Sequence, residues 1–166
     1  MLGTSSVAPA EGAPLAEGFP ISEASRIAAD DDRVFYSAGP ALLAVPVGGG
    51  EATTLFEGEA WSTLGHALAV DETRVWFQAA PQLRWAAKNG AGSVEVTESE
   101  RLQGLALDDS HVYWLDDRLY RMTQAGGDRT LLSGAPSSRR ITGSDVLVDD
   151  GCVYWIEGER VRKTAR

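Results

Sequence analysis

Few side chains in this sequence could do chemistry. The candidates are the acidic clusters Asp30-Asp31-Asp32, Asp71-Glu72, Asp108-Asp109 and Asp149-Asp150, two histidines, His66 and His111, and a single cysteine, Cys152. Clustered carboxylates suit calcium, which takes six to eight oxygen ligands. These clusters lie far apart in the chain, however, and none has the spacing of a calcium-binding loop. Aspartate oxygens also accept hydrogen bonds from nearby amides in tight turns, and that is the role expected of them. Two distant histidines and one cysteine give no zinc-site spacing. No Gly-x-Ser-x-Gly is present and neither histidine has an assignable partner, so nucleophilic catalysis has no support. Gly48-Gly49-Gly50 is followed by no helix pattern and is not a phosphate loop. The residue types therefore predict no metal, no cofactor and no catalytic group. A lyase or hydrolase acting through His66 is only the remotest alternative.

What positions these groups is a repeat. Asp30-Asp-Asp-Arg-Val-Phe-Tyr36, Asp71-Glu-Thr-Arg-Val-Trp-Phe77, Asp108-Asp-Ser-His-Val-Tyr-Trp114 and Asp149-Asp-Gly-Cys-Val-Tyr-Trp155 align without gaps. Their valines, Val34, Val75, Val112 and Val153, are 41, 37 and 41 residues apart. A short apolar run precedes each acidic pair, as in Leu68-Ala69-Val70 and Leu105-Ala106-Leu107. An apolar residue follows eight positions after each valine, and in the first three units a glycine turn and a last extended stretch come next. Each unit thus reads as four short strands, A to D. Strand A is a continuous apolar run buried on both faces, B is Val plus aromatics, and D is a polar outer edge.

Tandem four-stranded units of this length predict an all-β fold, a β-propeller of four blades, each a four-stranded antiparallel meander. Blade 1 spans about 24–58, blade 2 about 65–98, blade 3 about 102–134 and blade 4 about 143–166. Trp76, Trp114 and Trp155 are expected between blades. The fourth unit ends at Arg166, where its D strand would begin. Pro14-Leu15-Ala16-Glu17-Gly18 resembles the D-strand ends Thr54–Gly58 and Thr130–Gly134. Residues 13–17 are therefore expected to pair as an N-terminal strand closing the last blade, so that 13–166 form a single propeller domain behind a flexible leader, residues 1–12, without the pattern of a signal peptide. A monomeric four-bladed ring is the preferred assembly. A homodimer that exchanges N-terminal strands into an eight-bladed ring, or a unit of a larger array, is the alternative.

The chain has 166 residues and a formal net charge of −9, from 15 basic and 24 acidic residues. That balance argues against nucleic acid as a partner. The basic tail, Arg160–Arg166, alternates as a strand does and offsets the acidic excess. No run approaches the roughly 20 apolar residues of a membrane helix, so no membrane insertion is expected.

Leu107-Asp108-Asp109-Ser110-His111-Val112-Tyr113-Trp114 followed by Leu119-Tyr120-Arg121 resembles the YWTD-type propeller repeat of the low-density-lipoprotein-receptor class. It is closer still to bacterial repeats that carry Val-Tyr-Trp without the Thr-Asp. The resemblance implies a binding module of the extracytoplasmic space or cell envelope; the residues themselves leave the compartment open.

Propeller ligands usually sit where the D–A and B–C connections emerge. The D–A connections vary most here, and they carry Phe19, Trp61, Arg101, Arg139 and Arg140, with His66 opening strand A of the second unit. An aromatic beside arginines can stack on a sugar ring or hold a carboxylate. The function expected is non-catalytic binding of a glycan or a peptide at this face, with Trp61 as anchor.

Overall fold

The computed structural model describes residues 12, 14–15, 26–59, 64–99, 101–133, 145–157 and 159–166. Within them the chain is all β, with no helix. The first blade comprises β1 (Ile27–Ala29), β2 (Arg33–Ala38), β3 (Ala41–Pro46) and β4 (Thr53–Glu57). The second comprises β5 (Leu64–Val70), β6 (Arg74–Ala79), β7 (Gln82–Ala87) and β8 (Ser93–Glu98). The third comprises β9 (Gly104–Leu107), β10 (His111–Leu115), β11 (Leu119–Thr123) and β12 (Thr130–Leu131). The fourth comprises β13 (Val146–Val148), β14 (Cys152–Glu157) and β15 (Arg160–Ala165). Each blade is one antiparallel sheet whose strands lie side by side in chain order. The fourth sheet has three strands among the described residues. Segment 13–17, expected to complete it, lies mostly outside them, and Pro14 and Leu15, which are described, belong to no strand.

The registers explain why Val-aromatic segments build this fold. In the second blade Val75 pairs with Ala86 and Phe77 with Arg84, while Trp76 pairs with Trp85. Side chains alternate between faces along a strand, so Val75 and Phe77 face the first blade and Trp76 the third. Phe35, Leu42, Ala44 and Leu55 of blade 1 pack with Val75, Phe77 and Ala86 of blade 2. Trp76 and Leu83 pack with Val112, Trp114 and Met122 of blade 3. Tyr113, Leu115 and Leu119 pack with Val146, Val153 and Trp155 of blade 4. The three tryptophans expected between blades are there, and all are buried. The core is therefore a series of dry seams between sheets, not one central cluster.

Strand A is not buried on both faces throughout. β9 is largely buried, but Ile27 of β1 and Leu147 of β13 are exposed. The reason is positional, because β1 and β13 belong to the outermost blades and each packs against one described neighbour. β1 lies on β5, β5 on β9 and β9 on β13, and no packing of that extent joins β13 to β1.

Gly90 and Gly104 show two ways in which a glycine is structurally demanded. Gly90 turns the β7–β8 hairpin with a φ of 77°, a conformation that costs other residues a Cβ clash. Gly104 opens β9 where it passes the start of β13. A Cβ there would stand 2.8 Å from the Val146 nitrogen and 3.0 Å from the Asp145 carbonyl carbon. Both are backbone atoms and cannot swing aside. Gly104→Ala is expected to destabilise the protein by roughly 1–3 kcal/mol, as overpacking does. Gly48→Ala, with open space around the new Cβ, should stay within about 0.5 kcal/mol of wild type. Urea unfolding of the two variants checks this.

Candidate functional site

One end of the blade stack carries the A–B turns and their acidic clusters. The first aspartate of each cluster does the same work four times. Asp30 Oδ1 accepts hydrogen bonds from the Asp32 and Arg33 amides (3.0 and 2.7 Å). Asp71 does so from Thr73 and Arg74 (2.8 and 2.7 Å), Asp108 from Ser110 and His111 (2.8 and 2.7 Å), and Asp149 from Gly151 and Cys152 (2.9 and 2.7 Å). The turn-capping role expected of these residues is what the geometry shows. The second oxygen accepts a donor from the aromatic five residues on: Trp76 Nε1 to Asp71 (2.8 Å), Tyr113 OH to Asp108 (2.7 Å) and Tyr154 OH to Asp149 (2.8 Å). In blade 1 that position is Phe35, which has no donor. There Lys88 of blade 2 brings its ammonium to Asp30 Oδ2 at 2.6 Å, 5.5 Å from the Phe35 ring centre.

The residue that follows strand C clasps the preceding blade by a different route each time. Besides the Lys88 pair, Arg33 donates to the Lys88 carbonyl (2.6 Å). Arg74 donates to the Gln124 carbonyl and side-chain oxygen (2.8 and 2.7 Å). Arg166 pairs with Asp108 across 3.3 Å. Lys88, Gln124 and Arg166 went unnoticed in the sequence because their residue types differ. Their shared place, one step beyond each strand C, is the signal that marks them.

Between the A–B turns of blades 2 and 3 lies an open cleft of about 430 Å³, lined by Asp71, Glu72, Arg74, Asp108, Asp109 and Gln124 among others. Asp71 and Asp108 are poorly suited to proton transfer. Burial works to raise Asp108, but hydrogen bonds from Tyr113, Ser110 and His111 prevail and hold it down at about 2. Asp71 is likewise opposed by burial and lowered by Trp76 and the turn amides. Burial and the Asp108 carboxylate push Tyr113 up to about 12. A general acid or base works best with a pKa near the operating pH, and these groups are moved away from it.

The third turn does bring a serine, a histidine and an aspartate together. Ser110 Oγ lies 2.7 Å from His111 Nδ1 and 3.1 Å from Asp108 Oδ1. His111 is half-buried. In a nucleophilic triad the imidazole stands between hydroxyl and carboxylate. Here Asp108 meets the serine directly and Oδ1 is already occupied by two amides, so the trio is a capped turn. No group of three or more His, Cys, Asp or Glu side chains suited to a metal occurs among the described residues.

The opposite end carries the D–A and B–C connections. Trp61, Phe19, Arg139 and Arg140 lie outside the described residues, and His66 lies on β5 with its side chain likewise outside them. Arg101 is described and is exposed. Its connection is pinned on both sides. Leu102 is buried in the seam between blades 2 and 3. Gln78 donates to the Ser99 carbonyl (2.6 Å), Ser99 Oγ to Asp116 Oδ2 (3.2 Å), and the Gln103 amide to the Leu115 carbonyl (2.7 Å).

No protein-family model matches the chain, and no curated protein is close enough in sequence to count as a match. Solved structures do resemble it. The computationally designed Ika4 protein is 14% identical with a TM-score of 0.67, over 84% of this chain and 88% of Ika4. The designed Ika8 protein is 15% identical with a TM-score of 0.65, over 84% of this chain and 45% of Ika8. The extracellular domain of BT4673 from B. thetaiotaomicron is 12% identical with a TM-score of 0.65, over 83% of this chain and 21% of that one. Likeness at such identity establishes the fold, a β-propeller.

The aspartate link makes a test possible. Lys88→Met removes the ammonium that pairs with Asp30 Oδ2 and should cost roughly 2 kcal/mol, as for a lost charged hydrogen bond. Phe35→Tyr added to it supplies the phenol that Tyr113 and Tyr154 supply elsewhere. A thermal or urea double-mutant cycle should show favourable coupling of about 1 kcal/mol or more. Additive effects would contradict the equivalence of the four turns.

Proposed function

We propose that the chain is a non-catalytic binding module that holds a glycan or a peptide at the D–A face of its propeller. Trp61 is the anchor, and Phe19, His66, Arg101, Arg139 and Arg140 are the further ligand-binding residues of this reading. The observation that carries this reading is the anchoring of Ser99, Leu102 and Gln103 while Arg101 stays exposed. A cation presented on a rigid scaffold is organised for a ligand without an ordering cost. The other end argues the same way by contrast, since Asp71 and Asp108 are spent on turns and clasps and are held ionised. The likeness of Val112-Tyr113-Trp114 and Val153-Tyr154-Trp155 to YWTD-type repeats supports a binding role.

Glycan arrays and peptide libraries probed with the whole chain test this. Trp61→Ala and Arg101→Ala should each weaken a retained ligand by roughly tenfold or more, as anchor truncations do, with the melting temperature unchanged. Binding at full strength in Trp61→Ala, or no glycan or peptide retained at all, would overturn it.

A further inference from the structure

In blades 1 to 3 strand C lies inside its sheet, since β3 pairs with β4, β7 with β8 and β11 with β12. In blade 4 strand C is β15, and among the described residues it is the outermost strand of its sheet. Pro14 and Leu15, from the segment expected to cover it, belong to no strand. Its burial agrees: Arg160, Val161, Arg162, Lys163 and Ala165 are exposed, whereas most of β3 is buried. An edge of this kind presents a row of amides and carbonyls with which another strand can pair.

The side chains along this edge differ from those of the other C strands. β3 carries no cation and β7 and β11 carry one each, but β15 carries three, Arg160, Arg162 and Lys163, and no acid. Arg162 pairs with Glu157 across 3.1 Å, while Arg160 and Lys163 have no acidic partner among the described residues. The complete blades show what stands opposite these places. Arg84 faces Glu95 of β8 and pairs with it across 3.7 Å, and Gln82 faces Glu98. In blade 1 Ala41 faces Glu57. By their partners on strand B, Arg162 takes the place of Arg84, and Arg160 that of Gln82 and Ala41. The acid that ends β4 and β8 thus meets a neutral residue there and would meet an arginine on β15. On the other face of β15 Val161 is 77% exposed beside Ile156, where blade 1 sets Phe56 against Leu42. Alternate residues of an added strand would therefore meet cations and apolar surface.

We infer that β15 takes up an extended acidic segment of another polypeptide as the fourth strand of its blade, with carboxylates opposite Arg160 and Arg162 and uncharged residues beside Val161. Main-chain pairing supplies affinity, and the cations select the sequence. A second copy pairing through the same edge is disfavoured, because β15 against β15 sets like charges together. A nucleic acid matches the charge but offers no alternating amides and carbonyls to the edge. The inference is independent of the ligand reading, because Arg101 takes no part in it.

The probe is a fluorescent peptide with the sequence of a complete blade's D strand, Gly92-Ser-Val-Glu-Val-Thr-Glu-Ser99, titrated with the whole chain. Fluorescence anisotropy should show saturable binding that weakens as salt rises. Arg160→Glu should weaken it roughly tenfold or more, and a peptide carrying Glu98→Lys should restore affinity to that variant. Arg160→Gln serves should the first variant fail to fold, and Arg101→Ala should change nothing. Hydrogen exchange should find the β15 amides turned away from β14 fast in the free chain and roughly tenfold slower or more with peptide bound. Protection of those amides in the free monomer would assign the edge to the chain's own segment, and protection that arises only in a dimer would assign it to a second copy. Either result would overturn the inference. So would no binding up to about 1 mM peptide, binding indifferent to the charge reversals, or tighter capture of an oligothymidylate than of the peptide.

Discussion

A single carboxylate per blade ties three levels of this structure together. One oxygen closes the A–B turn by accepting two backbone amides. The other takes a donor from the residue five positions on or, in blade 1, from the neighbouring blade. The aromatic so held is also a face of the interblade seam: Trp76 and Tyr113 are fully buried there. Local turn chemistry thus sets the angle at which a large side chain enters the core. Hydrogen bonds to a charged acceptor contribute about 1.5–3 kcal/mol each, which is large against the marginal stability of a domain.

A second constraint follows from the sheets. A meander with two apolar faces is stable only between neighbours. Interior seams meet this need with Trp, Tyr, Phe and Leu, and the clasps from Lys88, Gln124 and Arg166 hold adjacent turns in register. The outermost blades inherit the same apolar residues without a described neighbour. On the outer face of blade 4 Val161 is exposed, whereas on that of blade 1 Leu43 and Val45 are buried and Ile27 is exposed. Blade 1 breaks the series at its own clasp position, where Val47 stands in place of Lys, Gln or Arg.

The fold was legible because its signals are short-range and repeated. An acid-acid turn, a Val-aromatic strand and a glycine hairpin each act within a few residues. Four copies of the pattern made the blade assignment independent of any one of them. The clasps were not legible, because Arg33 with Lys88 and Arg74 with Gln124 are 55 and 50 residues apart and the partner beyond strand C changes its residue type. Phe35 illustrates the limit well: it looks like an ordinary member of the aromatic pair, yet its missing donor is replaced from the next blade. The D–A connections were the least readable part. They vary from unit to unit, so the repeat gives no expectation for Trp61 or Arg139 beyond their place at one end. Of that set, Arg101 alone has its side chain among the described residues.

The carboxylate link can be measured directly. Carbon-13 NMR titration of the side-chain carboxyls should find Asp30, Asp71, Asp108 and Asp149 all titrating below the ordinary 3.8, with Asp108 at about 2. Because the unfolded chain binds these protons more readily, the stability they contribute is complete above about pH 4. It is lost as the pH falls through the folded values, so acid unfolding should track the Asp108 titration. Four aspartates titrating at or above 3.8 would show that the turns do not hold their carboxylates, and would contradict the account at its base.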